Sequence, residues 1–400
     1  MIEKELQYAA HNYKPLPVVI TKGKSVYLWD DKGNRYIDMM SAYSAVSLGH
    51  GHPRILSAMM EQAEELCITS RAFYSDKLAP FLEKLCEISK MDMALPMNTG
   101  TEAVETAIKA ARLWGYKSKN IPENQAEIIV ADGNFHGRST TIIGFSSDDE
   151  YKDGFGPFTP GFVSVPFGDA AALEAAITPN TCAFIVEPMQ GEGGIIIPHE
   201  GWLKQVQQIC KKHNVLLILD EIQTGLGRTG KMFAFEHEID RPDGLIVGKA
   251  LGGGVMPVSA FLAKKEVMEL FTPGSHGSTF GGNPLAAVIG LKSIETIIDE
   301  ELIENSAELG EYLINAIKSL NSKYIKEVRG KGLWIGVEID PEYATAREVC
   351  KKMMEKGVLS KETHETVVRL APPLVINKDI LDDVIYCLKD TLMEMEKTGA

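Results

Sequence analysis

Val215-Leu216-Leu217-Ile218-Leu219-Asp220 is five apolar residues closed by an acid, and Gly244-Leu245-Ile246-Val247-Gly248-Lys249 is an apolar run closed by a base. Neither shows the polar–apolar alternation of a half-exposed strand, so each reads as a strand buried on both faces. Glu127–Ala131 and residues 183–186 have the same texture. Between these runs lie stretches of helical period. Val104, Ala107, Ile108 and Ala111 follow the i, i+3, i+4, i+7 rule, and Trp202–Lys212 stops just before His213-Asn214 and the next strand. Strand–helix alternation of this kind predicts an α/β fold, a mostly parallel sheet with helices on both faces.

Outward from this centre the texture changes. Beyond about residue 290 come Leu309, Leu313, Ile317 and Leu320 at helical spacing, a strand pattern over 333–339, and a closing helix with Ile380, Val384, Leu388 and Leu392. That predicts a smaller α+β domain over 291–400, beside a large domain over 51–290. Residues 1–50 are too few for a core of their own. Their hairpin-like stretch 26–37, broken by Asp30-Asp31-Lys32-Gly33-Asn34, is expected to pack on the C-terminal part.

The chain has 400 residues, 44% apolar and 24% charged, with a net charge of −14. Such acidity disfavours general binding to nucleic acid or anionic membrane. No run reaches the roughly 20 apolar residues of a spanning helix. The start, Met1-Ile2-Glu3-Lys4-Glu5, lacks the apolar core of a signal peptide, and the six cysteines form no C-x-x-C pair. A soluble, cytoplasmic chain without structural zinc or disulfides is expected. His50-Gly51-His52 lacks a nearby further ligand, so no metal is expected there either.

Three phosphate readings attach to two glycine-bearing stretches. Gly225-Leu226-Gly227-Arg228-Thr229-Gly230 fits G-x-G-x-x-G by letter, but five residues separate it from the strand tip and Gly-Arg-Thr-Gly is poor helix-opening chemistry. Its continuation to Lys231 mimics a P-loop, yet Met232 stands where a hydroxyl should bind magnesium. The better candidate is Asn98-Thr99-Gly100-Thr101-Glu102-Ala103, where an amphipathic helix opens with unpaired N–H groups and a favourable dipole. Thr99 or Thr101 could add a hydroxyl; Thr-x-x-Glu capping of the helix explains the same letters.

Asp220 and Lys249 each close a buried strand, where open α/β sheets bind ligands. A lysine between apolar residues and Gly252-Gly253-Gly254 must be paired or lose its charge. An amine of lowered pKa is what Schiff-base chemistry requires. A phosphate cradle, an acid and such a lysine together form the constellation for pyridoxal 5'-phosphate. The helix end would anchor its phosphate, the lysine its aldehyde, and the acid its ring nitrogen.

These motifs join others: Phe135-His136-Gly137-Arg138, Glu187-Pro188-Met189-Gln190-Gly191-Glu192, Gln223-Thr224-Gly225, and His276-Gly277-Ser278-Thr279-Phe280-Gly281-Gly282-Asn283-Pro284. In order and spacing, from Tyr13 to Pro373, the chain resembles the class III aminotransferases of the aspartate aminotransferase fold, and among them the ornithine-specific branch. The resemblance implies a seven-stranded, mostly parallel sheet in the large domain. It implies Lys249 as Schiff-base lysine and proton shuttle, Asp220 against the pyridinium nitrogen, Gln223 on the ring hydroxyl and Phe135 stacked on the ring. Gly100 and Thr101 would bind phosphate, with Ser278 and Thr279 completing that site from a neighbouring subunit of a homodimer. On the substrate side, Tyr13 and Arg138 match positions that hold the α-amino and α-carboxylate groups of ornithine, with Tyr43 beside them. Arg369 matches the arginine for the glutamate α-carboxylate, and Glu192 the residue that neutralises it while ornithine is bound. The implied reaction moves the δ-amino group of L-ornithine to 2-oxoglutarate.

Outside the resemblance, packing is the favoured reading of Tyr13 and Tyr43, and structural ion pairing that of Arg138 and Arg369. N-acetylornithine and 4-aminobutyrate aminotransferases share the cofactor motifs. The two tyrosines and Ser70-Arg71-Ala72-Phe73-Tyr74 favour ornithine. A nicotinamide dehydrogenase would rest on the 225–230 cluster alone, and a non-catalytic scaffold would be expected to lack Lys249 or Asp220.

Overall fold

Seven strands form the central sheet of the computed structural model, which describes residues 1–398. Their order across the sheet is Met93–Met97, Ser259–Ala263, Gly244–Val247, Leu216–Asp220, Thr181–Val186, Glu127–Ala131 and Phe162–Val165. The last five are mutually parallel, and Ser259–Ala263 runs antiparallel to both of its neighbours. The expected α/β architecture is therefore present, with an antiparallel strand inserted near one edge.

Period two persists inside the all-apolar runs. Phe184, Val186, Leu217, Leu219, Leu245 and Val247 belong to one core cluster, while Ala183, Ile185, Leu216, Ile218 and Ile246 belong to another. Successive side chains thus enter separate cores on opposite faces, so both faces must be apolar. The helix Gly100–Lys117 seals one face with Val104, Ala107, Ile108 and Ala111, all buried. Trp202–Lys212 is a helix with the predicted bounds and buries Trp202, Leu203, Val206 and Cys210 in the other core.

Two smaller sheets complete the fold. Ile20–Lys24, Tyr27–Asp30 and Arg35–Asp38 form an antiparallel meander. Its turn is set by Asp30, whose Oδ1 accepts the N–H of Lys32 at 3.0 Å and of Asn34 at 2.8 Å. The predicted hairpin is present, with one more strand than expected. Ile37 pairs in parallel with Val358, which joins the N-terminal segment to the C-terminal region. There Ile325–Gly330, Ile335–Ile339, Val367–Leu370 and Lys361–Thr363 make an antiparallel sheet. It is accompanied by the helices Leu302–Lys318 and Lys378–Thr398. Leu320, expected on the first of these helices, lies beyond its end. Among the described residues no helix is long and apolar enough to cross a membrane.

Candidate active site

Strand register decides what meets at the carboxyl edge of the central sheet. Val186 pairs with Leu219, and Leu219 with Leu245. The chain therefore releases Glu187, Asp220 and, after two further residues, Gly248-Lys249 along one rim. This is the crevice where open α/β sheets take ligands. The helix Gly100–Lys117 opens beside the same rim. A cavity of about 370 Å³ lies there, lined by residues that include Gly100, Thr101, Phe135, Asp220, Gln223 and Lys249.

At the helix opening the capping reading holds, and it uses other residues than those expected to bind phosphate. Thr99 is the cap: its Oγ1 accepts the Glu102 N–H at 3.3 Å, and Glu102 Oε2 accepts the Thr99 N–H at 2.8 Å. Ala103 bonds the Thr99 carbonyl. The N–H groups of Gly100 and Thr101 remain, at the positive end of the dipole. A Cβ at Gly100 would meet Ile222 Cδ1 at 2.8 Å, so a larger residue there would have to displace the tip of that side chain.

Asp220 is buried and held at both oxygens. Oδ1 accepts the Ile222 N–H at 3.1 Å, and Oδ2 lies 2.7 Å from His136 Nδ1. Burial opposes charge on the His136 ring, yet the hydrogen bond and negative charge of Asp220 leave its pKa raised. Glu187 is buried close by and accepts the Phe135 N–H at 3.1 Å. Desolvation, with repulsion from Asp220, pushes its carboxyl up to about 7 against the pull of His136. Lys249 lines the cavity with φ of 45°, a left-handed conformation rare for a residue with a side chain. Desolvation by surrounding protein lowers its amine to about 8. An amine near neutrality is what nucleophilic and proton-transfer chemistry needs.

Glu192 also lines the cavity, and Arg369 forms a fork with it, Nη1–Oε1 and Nη2–Oε2 both at 3.0 Å. Burial works against the Glu192 charge, but Arg369 holds its carboxyl down at about 2. Gln223 Nε2 donates to Glu192 Oε1 at 3.2 Å, and its own Oε1 is buried without a protein partner. The Tyr43 ring lies 5.2 Å from the Arg369 guanidinium. Tyr13 and Arg138 are exposed and line the mouth. Arg138 stacks over Tyr151 at 4.4 Å.

Ser278 and Thr279 are not part of this cavity. They border a separate depression with residues 68–71, and Ser278 Oγ accepts from Asn98 Nδ2 at 2.9 Å. His50 and His52 are directed to different carboxylates, Asp38 at 2.7 Å and Glu300 at 3.2 Å. The cluster 225–230 is a chain of turns with Leu226, Gly227 and Gly230 at positive φ and no helix opening within it, which rules out both nucleotide motifs.

Three further residues stand at the site with no role assigned to them from the sequence. Glu187 follows a buried strand as Asp220 closes one, so the strand-tip rule could have found it. His136 sits inside the Phe135–Arg138 motif, but its partner is 84 residues away. Tyr151 carries no local signal.

A strand-tip acid, a desolvated lysine and a glycine-opened helix around one cavity are the parts a pyridoxal-phosphate site needs, and the chain belongs to the class-III aminotransferases. The family model "Aminotransferase class-III" matches residues 8–392. Among curated relatives, an ornithine aminotransferase of Brevibacillus brevis is 56% identical over 392 residues, covering 98% of each chain. The solved ornithine aminotransferase of Toxoplasma gondii superposes with a TM-score of 0.98 at 42% identity, over 100% of this chain and 94% of that one. An acetylornithine aminotransferase structure from Elizabethkingia anophelis is 46% identical with a TM-score of 0.89, over 98% of each chain.

Members of this family depend on pyridoxal 5'-phosphate, and the residues fit it. Gly100 leaves room at a helix end with open N–H groups, Gln223 has a buried acceptor to satisfy, and Lys249 is an amine tuned toward neutrality.

Proposed function

We propose that the enzyme transfers the δ-amino group of L-ornithine to 2-oxoglutarate, giving L-glutamate and L-glutamate 5-semialdehyde, which cyclises to pyrroline-5-carboxylate. The observation that carries this reading is the Glu192–Arg369 fork, whose carboxylate lines the cavity. An arginine covered by a removable carboxylate lets one pocket take two different ends of substrate. While ornithine is bound, Glu192 stays on Arg369 and leaves no free cation to attract the α-carboxylate inward. Arg138 and Tyr13 at the mouth then hold the α-carboxylate and α-amine, which presents the δ-amine to Lys249. In the second half, Glu192 turns away and Arg369 takes the α-carboxylate of the five-carbon dicarboxylic acid.

Pyridoxal 5'-phosphate supplies, when bound, an aldehyde for the amino group and a ring that accepts an electron pair from the substrate carbon. Gly100 and Thr101 hold its phosphate, Phe135 covers the ring, and Gln223 meets the ring hydroxyl. Asp220, kept in place by His136 and the Ile222 N–H, keeps the ring nitrogen protonated. Lys249 Nζ takes the proton from the δ-carbon of ornithine and, in the second half, delivers one to the α-carbon of glutamate. Ser278 and Thr279 serve the phosphate site of a second subunit, which makes a homodimer the active form. The enzyme works in the cytoplasm, with 51–290 as cofactor domain and 1–50 joining the small domain 291–400.

N-acetylornithine is the second reading, supported by the Elizabethkingia anophelis relative. Single-turnover mixing of holoenzyme with each amine, without keto acid, separates the two. Bleaching of the cofactor absorbance and release of pyrroline-5-carboxylate with ornithine are expected. Faster bleaching with N-acetylornithine would assign the enzyme to that substrate.

A further inference from the structure

Ser41, Ala42, Tyr43 and Ser44 have φ of 41°, 47°, 58° and 72°. Left-handed residues with side chains normally occur singly, because Cβ crowds the following carbonyl. Four in succession persist only where the surroundings over-determine them. This run carries Tyr43 into the cavity, so what holds it bears on substrate recognition.

Part of the restraint is local. Asp38 Oδ1 accepts the N–H groups of Met40 at 2.8 Å and Ser41 at 2.9 Å, and Ser47 Oγ donates to the Ser44 carbonyl at 2.9 Å. The rest comes from far along the chain. Ser41 Oγ donates to the Ala371 carbonyl at 2.6 Å, two residues past Arg369. Arg228, projected by the glycine-rich turns, is fully buried. Its guanidinium donates to four uncharged acceptors: Ser41 Oγ at 3.3 Å, Ser47 Oγ at 2.9 Å, the Pro372 carbonyl at 2.6 Å and the Leu333 carbonyl at 2.8 Å. Two of these flank Tyr43 and one lies three residues beyond Arg369. A buried cation is costly, and hydrogen bonds to neutral groups compensate it poorly unless their geometry is fixed.

We propose that Arg228 is a positioning residue for carboxylate recognition. It clamps the left-handed turn 41–44 against the backbone that follows Arg369 and so keeps Tyr43 and the Arg369 guanidinium at a working separation. This assignment rests on the ornithine–2-oxoglutarate reading for the identity of the substrates, but not for the clamp itself. It also gives the 225–230 turns their purpose. Gly230 and Gly332 pack where a Cβ would stand 2.9 Å from Ala307 Cα and 2.7 Å from the Arg228 carbonyl, which brings the Arg228 backbone close to the segment beyond it.

Arg228→Lys keeps a cation and removes the fork. In the holoenzyme, two constants are expected to rise about tenfold or more: the Kd for glutarate, an unreactive five-carbon dicarboxylate, and the Michaelis constant for the keto acid. The cofactor absorbance should be unchanged, and kcat at saturation should fall by less than about twofold. If neither constant moves in a folded variant, the proposal is overturned. So it is by a loss confined to kcat and cofactor retention, which is the mark of a merely structural role. If Arg228→Lys yields no folded holoenzyme, Ser41→Ala, which deletes the hydroxyl shared by Arg228 and the Ala371 carbonyl, carries the same test with a smaller expected rise. Should the wild type fail to turn over ornithine, the substrate reading falls, while the glutarate measurement still decides the role of Arg228.

Discussion

At the cofactor end of the cavity, Glu187, Asp220 and Lys249 leave neighbouring strands whose register brings their tips to one rim. At the substrate end, Glu192 and Arg369 meet from positions 177 residues apart, and Tyr43 joins them from an N-terminal turn held in left-handed conformation. Asp220 is buried and pinned at both oxygens, whereas Tyr13 and Arg138 stand exposed at the mouth. The two ends thus differ in how far apart in the chain their parts lie. In the reading proposed above, the groups for electron and proton chemistry leave one sheet, whose register fixes their spacing. In the same reading, the groups for the two substrates come from segments distant in the chain, brought together by the Glu192–Arg369 fork and by Arg228.

The largest expected effect separates the two ends outright. Lys249→Ala should slow both half-reactions by about 10⁴-fold, because among the described residues no other amine lines the cavity to move the proton. Glutarate binding should be retained, since Arg369 is untouched. Loss of glutarate affinity in this variant would mean that the two ends are not separable; calorimetry and single-turnover absorbance measure the pair.

Glu192→Gln tests the exchange of partners. It uncovers Arg369, so kcat/KM for ornithine should drop about 10–100-fold while the Michaelis constant for the keto acid stays level or falls. Transamination at the α-amine of ornithine should rise alongside, and product analysis would detect it. Equal losses for both substrates would sink the switch.

The smallest effect is a matter of pH. The Lys249 pKa is lowered from 10.5 to about 8, so its neutral form grows as pH rises toward 8 and is nearly complete above it. The rate of pyridoxal 5'-phosphate uptake by apoenzyme, followed by its absorbance change, should climb about tenfold per pH unit below 8 and then level off. The sign for stability is the same. Between 8 and 10.5 the unfolded chain binds the extra proton, so the apoenzyme gains stability as pH rises through that window. A rate still climbing at pH 10 would show that burial does not tune this amine.

Legibility in the sequence follows the same divide. The cofactor end is readable because each of its parts is a local pattern: an apolar run closed by Asp220, another closed by Lys249, a glycine at the opening of an amphipathic helix. The substrate end is readable only through resemblance. Nothing in the neighbourhood of Glu192 points to Arg369, and nothing near Tyr43 announces a left-handed turn. Arg228 is hidden in a misleading glycine motif, since its four acceptors lie more than a hundred residues away in both directions. His136 and Glu187 fall between these cases, adjacent to legible motifs but dependent on the sheet for their company.

Short stretches alone dictate the central sheet, its helices and the chemistry available at its rim, because hydrophobic periodicity and strand-tip position are local properties. They dictate too that 225–230 cannot open a helix. Long-range packing was needed to cover Arg369 with Glu192, to steady Asp220 with His136, and to bind the Tyr43 turn through Arg228 to the backbone beyond Arg369. Those outcomes depend on which distant side chains come within hydrogen-bonding distance, and no local pattern encodes such a distance.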